Sequence, residues 1–366
     1  MPEPLTEVTE HQARARVALT AALASGPSHA YLFRGPRGAG KATIARTFAA
    51  EILAAEATDP DDARRRALVD PSPHPDLVWL RPRGAQHMVE EVRERVIRAA
   101  SYRPFEAEKR VFVIEAAEQM RDESQNALLK TLEEPPGFVH LILLTSEPAM
   151  LLETIASRCQ PVDFAPLPPA AIEAALGAEA PAEELAAAAR LSAGDLARAR
   201  FLLSSSGRDL RAAALELGRS GESPSPDHPA WSHLLKAAEL VGEEAEATTR
   251  DLLDEETEAG VKRSARDITD EAKRAGRRRR TETLDLALEL SASWFRDLAA
   301  TASGATEVVY NQDRLADLQS RAALLDPARP RRAAELVQDT RRRLDLNVSE
   351  ELALEALAFR LAAVFA

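Results

Sequence analysis

The chain contains 366 residues and carries a formal net charge of −12, from 47 basic and 59 acidic side chains. This length is too great for one ordinary domain and indicates two or three. The single cysteine, Cys159, excludes a disulfide framework and a cysteine-rich zinc site. No apolar run is long enough for a membrane span, and the N-terminus lacks the pattern of a signal peptide, so a soluble cytoplasmic protein is expected.

Residues 1–165 alternate between strand-like and helix-like segments. Short apolar runs typical of buried parallel strands occur at 30–33, 77–80, 111–114 and 140–145. Helical spacing of apolar residues is found between these runs, at 13–23, 42–55, 88–100 and 122–132. The polar, proline-rich stretch 58–75 is expected to form an exposed loop or insertion. The alternation predicts a doubly wound α/β domain.

The remainder of the chain is expected to be helical. Prolines at positions 161–169 mark a boundary, and residues 170–203 are predicted to form two or three short alanine- and leucine-rich helices. Segment 218–229 is rich in Ser, Gly and Pro, as interdomain hinges are. Long helices are expected from residue 231 onwards, because only 4% of the chain is aromatic and its cores must be aliphatic. The predicted domains are 1–165, 166–217 and 228–366.

Charge is segregated in the last third of the chain. Residues 239–258 contain nine acidic side chains and one basic one, whereas residues 262–280, from Lys262 to Arg280, contain nine basic and three acidic ones. One interpretation is a solvated helix pair whose opposite blocks bridge each other. The other is a DNA-binding patch around Arg277–Arg280, although an acidic chain does not attract DNA through its overall field. The basic block lacks interleaved aromatic residues, so base stacking is not indicated.

A phosphate-loop pattern follows the first strand segment. The sequence from Gly35 reads Gly-Pro-Arg-Gly-Ala-Gly-Lys-Ala, in which glycines let backbone N–H groups converge on phosphate oxygens and a helix follows. The candidate nucleotide-binding residues here are Gly35, Gly38, Gly40, Lys41, Ala42 and Thr43. The position that should supply a Mg²⁺-binding hydroxyl is Ala42, and Thr43 is turned about 100° away on a helix, so it is a poor substitute.

A second motif should place carboxylates at the end of a buried strand. The run 111–114 ends in Glu115 and Ala116, so Glu115 keeps a carboxylate for a metal while Ala116 cannot polarise a water molecule. Two of the three groups that nucleotide hydrolysis needs, at positions 42 and 116, are therefore missing. This favours a phosphate-loop fold that is retained for its architecture.

The most specific segment is an amphipathic helix at 126–134 that Pro135 and Pro136 terminate. Together with Leu143–Pro148 and Ser157-Arg158-Cys159, it resembles the clamp-loader branch of the AAA+ ATPases, which includes the gamma/tau and delta-prime subunits of bacterial DNA polymerase III. The resemblance is detailed over residues 30–162. Within the branch the chain is more similar to the delta-prime type, whose motifs are typically degenerate and often contain His-Pro-Asp, here residues 74–76.

This resemblance implies roles for individual residues. Gly35, Gly40 and Lys41 would form the remnant of a phosphate loop, Glu115 would stand at the metal carboxylate, and Thr145 would sense the γ-phosphate. Arg158 would be an arginine finger that acts in trans on the nucleotide of a neighbouring subunit. The implied cofactor is ATP or ADP with Mg²⁺ at the degenerate site, and Cys159 is expected to be packed rather than reactive.

The resemblance also implies an arrangement of domains. The sequence departs from the family pattern at two places. Residues 1–165 would be the AAA+ α/β domain, 166–217 a helical lid and 228–366 a helical collar, in which 346–357 resembles the end where neighbouring subunits pack. The family's zinc module is missing, because 58–75 contains no cysteine. The lid position that carries an arginine in active relatives is Ala197.

The function implied by the resemblance is that of a delta-prime-like stator of the clamp loader. Such a subunit has no ATPase activity of its own, completes a ring with gamma/tau and delta subunits, and helps to load the sliding clamp on primed DNA. Two alternatives stay open. An active gamma/tau-type ATPase would turn over ATP alone, and a stand-alone AAA+-like DNA-binding or regulatory protein would form no complex with clamp-loader subunits.

Overall fold

The computed structural model describes residues 3–82, 87–220, 229–258, 264–344 and 348–365. The chain forms two compact units, Met1–Pro168 and Pro169–Ala366. We call them the α/β unit and the helical unit. The predicted boundary near residue 165 lies close to the division between them. The finer division of the second unit into lid and collar stays a prediction.

The α/β unit is built on a five-stranded parallel sheet with the order β2-β3-β4-β1-β5. Its strands are β1 (Ala30–Arg34), β2 (Leu77–Leu80), β3 (Arg110–Ile114), β4 (Val139–Thr145) and β5 (Gln160–Asp163). Four of these match predicted strands. Arg34 lies opposite Thr145 and Ile114 opposite Leu143, so β1, β3 and β4 end at one edge of the sheet.

Helices cover both faces of this sheet. They are α1 (Glu3–Val8), α2 (Ala13–Ser25), α3 (Lys41–Ala54), α4 (Pro60–Leu68), α5 (Val89–Val92) continued by a π-helical turn (Arg93–Arg98), α6 (Asp122–Glu133) and α7 (Glu153–Ala156), with 3₁₀ turns at Ala117–Gln119 and Pro148–Met150. Successive residues of a strand point to opposite faces. Phe33 and Val113 therefore pack in one core with Phe48 of α3, while Phe112 packs in the other core with Leu128 of α6.

Two parts of the α/β unit differ from the predictions. The expected loop over 58–75 is wrong for residues 60–68, which form α4. Asp59 caps this helix by accepting a hydrogen bond from the Asp62 N–H, and Pro60 occupies the first turn, where its missing N–H costs nothing. Strand β5 has no counterpart among the predicted strands. Only one of its four residues, Val162, is buried, so it shows no continuous apolar run.

The helical unit contains no strand among its described residues, as predicted. Its helices are α8 (Pro169–Leu176), α9 (Ala182–Leu191), α10 (Leu196–Leu203), α11 (Ser205–Ser220), α12 (Ala230–Glu258), α13 (Ala265–Ala302), α14 (Leu315–Ala322), α15 (Ala328–Leu344) and α16 (Glu350–Phe365), with 3₁₀ turns at Thr306–Val308 and Gln312–Arg314. The predicted hinge over 218–229 lies mostly outside the described residues, and α11 continues to Ser220. No helix in the described ranges is long and apolar enough to cross a membrane.

Helices α12 and α13 approach each other closely at two glycines. A Cβ atom added to Gly276 would lie 2.9 Å from the Gly242 carbonyl oxygen, and one added to Gly242 would lie 3.0 Å from the Gly276 carbonyl oxygen. The side chain of Arg280 in α13 pairs with Glu239 in α12. This contact supports the interpretation of the segregated charges as a helix pair whose blocks bridge each other.

Candidate functional site

The loop between β1 and α3 has the backbone of a phosphate loop. Gly40 adopts φ +83° and precedes α3, which is a left-handed conformation that favours glycine. A Cβ atom at Gly35 would lie 2.4 Å from the Phe164 carbonyl oxygen, so only glycine fits there. Gly38 also has a positive φ of +69°. The loop therefore delivers the chain to the N-terminus of a 14-residue helix, whose free N–H groups attract anions.

Lys41 lies at the start of α3 and folds back over the loop. Its Nζ donates hydrogen bonds of 2.6 Å to the carbonyl oxygens of Gly35 and Pro36. The next two residues, Ala42 and Thr43, are exposed, and the first turn of α3 carries no acidic side chain. The loop and Lys41 thus offer a cation and backbone donors to phosphate, while Ala42 offers no side-chain oxygen to a metal ion.

Glu115 comes directly after β3, as predicted, but its carboxylate is already engaged. Its Oε1 accepts a hydrogen bond of 3.0 Å from the Trp79 indole, and its Oε2 lies 3.2 Å from Nε of Arg81. Arg81 also bonds to Asp70. A Mg²⁺ ion prefers carboxylate oxygens that are free to coordinate it. Binding a metal here would require Glu115 to give up both partners.

A second guanidinium lies beside Glu115. Arg46 of α3 is buried, stacks 4.2 Å above the Trp79 ring and pairs with Asp70 at 2.9 Å. Burial lowers the pKa of Arg46, although Asp70 opposes the shift. Sequence reasoning missed this cluster of Arg46, Asp70, Trp79 and Arg81. The signal that could have found it is the arginine at position 46, within an otherwise apolar stretch of helix.

The residue after Glu115, Ala116, has φ +47°, a left-handed conformation that is uncommon for a residue with a Cβ atom. The carboxylate that approaches the end of β4 is instead Glu118, whose Oε1 accepts a hydrogen bond of 2.7 Å from the Ser146 hydroxyl. Burial would raise the pKa of Glu118, but hydrogen bonds from Ser146, from the backbone and from Thr145 outweigh it and lower that pKa. Thr145 itself is buried, and its Oγ1 accepts from the Glu147 N–H.

Arg158 lies two residues after α7, away from the loop in sequence and on the surface. Its guanidinium donates to the Thr154 carbonyl oxygen at 2.9 Å and to Glu133 Oε1 at 2.6 Å. The side chains of Arg158 and Glu133 are 36% and 49% exposed, so this ion pair is a surface contact. The neighbouring Cys159 is buried, and burial raises its thiol pKa to about 12. Cys159 is therefore packed, as predicted.

These positions define what the site can do chemically. The backbone of residues 35–40 and Lys41 suit a phosphate group, but Ala42, Ala116 and the engaged Glu115 do not suit a Mg²⁺ ion or an activated water. Within the described ranges, no group of three or more His, Cys, Asp or Glu side chains is placed to hold a metal ion. The site therefore fits phosphate better than it fits metal-assisted hydrolysis.

A parallel sheet of order β2-β3-β4-β1-β5, with a phosphate loop after β1 and a carboxylate after β3, defines a P-loop domain of the AAA+ type. The family model described as "DNA polymerase III, delta subunit" matches residues 12–168, nearly all of the α/β unit. Over this segment the chain is similar to clamp-loader subunits of DNA polymerase III, delta-prime subunits among them.

Three relatives illustrate the similarity. The chain is 36% identical to DNA polymerase III subunit delta-prime of Bacillus subtilis over 148 residues, 40% of this chain and 45% of that protein. It is 36% identical to the delta-prime subunit of Pseudomonas aeruginosa over 201 residues, 52% of this chain and 60% of that protein. It is 37% identical to the tau/gamma subunit of Haemophilus influenzae over 134 residues, 36% of this chain and 19% of that protein. The chain thus spans about half the length of the two delta-prime relatives.

Proposed function

We propose that this chain is the delta-prime-type stator of a DNA polymerase III clamp loader. It completes a ring with gamma/tau and delta subunits and donates Arg158 to ATP bound by its neighbour. Through the ring it takes part in placing the sliding clamp on primed DNA. The relatives of the α/β unit support the class of subunit, and the positions of Arg158 and Glu115 support the absence of turnover in this chain and its action on a neighbour.

The observation that carries the proposal is the placement of Arg158. An arginine finger must reach outward from its own subunit, and a guanidinium stabilises charge that spreads over the transferred phosphoryl group. Arg158 is on the surface, and its pair with Glu133 is solvated on both sides. Exposed ion pairs contribute only about 0–1 kcal/mol. Arg158 can therefore exchange Glu133 for a phosphate of a neighbouring subunit at little cost.

The chain's own nucleotide site supports the absence of turnover. Arg81 and Trp79 hold both oxygens of Glu115, and Arg46 adds a second positive charge beside them. Both arginines also pair with Asp70, so two cations and two carboxylates already balance one another, and a catalytic metal would have to displace an existing ion pair to reach Glu115. An alanine at position 116 leaves no group to orient an attacking water. A stator needs neither function, because its contribution is made in the neighbour's site.

An exposed apolar stripe on α16 supports assembly with other subunits. Leu352 and Phe359 are 63% and 77% exposed, and Ala356 between them is also exposed. These residues are spaced by four and three positions, so they share one face of the helix. Part of the predicted collar contact, residues 346 and 347, lies outside the described residues. We assign the stripe on α16 to packing against a neighbouring subunit.

Reconstitution tests this proposal. The purified chain alone should show no ATPase activity, and mixing it with gamma/tau and delta subunits should give a stoichiometric ring by size-exclusion chromatography with light scattering. ATP turnover by the chain alone would indicate a gamma/tau-type ATPase instead. Failure to join the ring would indicate a stand-alone protein.

A pair of variants tests the contact surface. The double substitution Leu352→Glu with Phe359→Glu should abolish ring assembly while leaving the helical content unchanged. Leu240→Glu with Leu324→Glu is the matched control, because these leucines are 55% and 87% exposed and lie outside α16. Equal assembly by both variants would contradict the assignment of the stripe on α16.

A further inference from the structure

The basic block at the start of α13 divides into two parts that behave differently. Arg278 pairs with Glu282 at 3.0 Å, and Arg280 pairs with Glu239 and, at 2.7 Å, with Glu350. Arg279 lies over the Phe201 ring at 4.8 Å. Arg279 and Arg280 therefore join α13 to other helices of the helical unit, while Arg278 pairs within α13 itself. They are not available for an external ligand without loss of those contacts.

The preceding cations form a different surface. Arg266, Lys273, Arg274 and Arg277 are all exposed, and we call these four residues the basic ridge. At 100° per residue they fall within about one third of the helix circumference, and at 1.5 Å per residue they extend over roughly 16 Å. The remaining basic residues of the block, Lys262 and Arg263, lie outside the described residues.

Packing does not explain the basic ridge. The side of α13 that is buried in this region is formed by Ile268, Ala272 and Gly276, and Gly276 meets α12. The basic ridge lies on another side of the helix. Its positions could therefore be occupied by any polar residue without a change in the core.

Ion pairing within the unit does not explain the basic ridge either. Lys273, Arg274 and Arg277 have no carboxylate within 4.0 Å among the residues that the structure describes, and Arg266 is 3.8 Å from Asp270. Nε of Arg274 donates a hydrogen bond of 3.1 Å to the Asp270 carbonyl oxygen. Three adjacent like charges repel one another at this spacing. An external anion that binds several of them at once would relieve that repulsion.

We propose that the basic ridge binds the phosphate backbone of duplex DNA without regard to sequence. Lys273, Arg274 and Arg277 cluster on one side of the helix, one turn after Asp270, and contacts between cations and phosphates supply most of non-specific affinity. The ridge carries no aromatic side chain, so it offers no stacking platform for single-stranded bases. Because the whole chain is acidic, the attraction is local, and it is expected to be weak and steeply dependent on salt.

Fluorescence anisotropy of the full chain with a labelled duplex and with a single strand of the same length tests the proposal. The ridge variant is Lys273→Glu, Arg274→Glu and Arg277→Glu. The control variant is Arg331→Glu, Arg332→Glu and Arg342→Glu, which changes the net charge by the same amount at three exposed arginines of α15. Circular dichroism checks that both variants keep their helices.

We expect the unmodified chain and the control variant to bind duplex more tightly than single strand at 50 mM salt. The ridge variant should bind duplex at least about ten-fold more weakly, and the slope of log K against log salt should fall by about 2 to 3, because each phosphate contact contributes about 0.9. Equal loss in both variants, no duplex binding by the unmodified chain, or equal binding of single strand and duplex would overturn the proposal. Ring assembly by the ridge variant is a separate measurement, so this inference can fail while the stator function stands.

Discussion

Asp76 should be among the largest single contributors to the stability of the α/β unit. It is fully buried before β2, and its carboxylate accepts backbone N–H bonds from Phe105 at 2.7 Å and from Glu106 and Ala107 at 3.0 Å each. Hydrogen bonds to a charged group contribute about 1.5–3 kcal/mol each, and removing a partner leaves buried donors unsatisfied. Because the three bonds share one carboxylate, they are not additive, and we expect Asp76→Ala to cost about 3–5 kcal/mol.

Two measurements test this expectation. Urea unfolding should show a lower midpoint for Asp76→Ala, and hydrogen exchange should show loss of protection at the amides of residues 105–107. Asp76→Asn keeps one acceptor oxygen and should lie between the variant and the unmodified chain. Asp61→Ala is the control, since that carboxylate is 96% exposed and pairs with Arg64 at the surface. An Asp76→Ala variant within about 1 kcal/mol of the control would refute the reasoning.

Three further predictions concern packing and titration. Gly276→Ala should destabilise the helical unit by about 1–3 kcal/mol in thermal unfolding, because the new Cβ meets the Gly242 carbonyl oxygen. Gly137→Ala is the control, because a Cβ at Gly137 meets open space and should not destabilise the chain. Equal effects of the two substitutions would contradict the close approach of α12 and α13. Cys159 should resist iodoacetamide at pH 8 in the folded chain and react in urea, because its pKa is about 12; rapid native labelling would contradict its burial. Burial lowers the pKa of three histidines below 6.5, so the unfolded chain binds protons that the folded chain does not, and stability should fall as pH drops below 6.5. A urea midpoint that is constant from pH 7.5 to 5 would contradict this for His74, His87 and His140.

The sheet could be predicted because its strands leave a strong local signal. Residues 111–114 are apolar without interruption because both faces of β3 are covered, and the glycines of the phosphate loop mark the turn that follows β1. Strand β5 left no such signal, since it lies at the edge of the sheet and is mostly exposed. Helix α4 was missed because its polar composition outweighed the cap at Asp59 and the proline that follows it.

The site could be predicted only in part. The position of Glu115 after β3 follows from the strand pattern, but its partners Trp79 and Arg81 lie more than 30 residues away in the chain. Spacing alone does not indicate which distant cation a carboxylate meets. The role of Glu115 as a metal carboxylate stays a prediction, and the structure adds that Trp79 and Arg81 are its hydrogen-bond partners. The roles of Thr145 and Arg158 stay predictions that activity measurements must test.

Single-turnover ATP hydrolysis by the reconstituted ring tests most directly whether Arg158 acts in the neighbour's site. Arg158→Ala should leave assembly intact but remove the fast phase that corresponds to one site, since an arginine finger contributes about 10³-fold or more. Arg93→Ala is the matched control, because Arg93 makes a similar exposed pair with Glu123 at 3.0 Å. A full fast phase in the Arg158→Ala ring, indistinguishable from the control, would contradict the role of Arg158 in the neighbour's site.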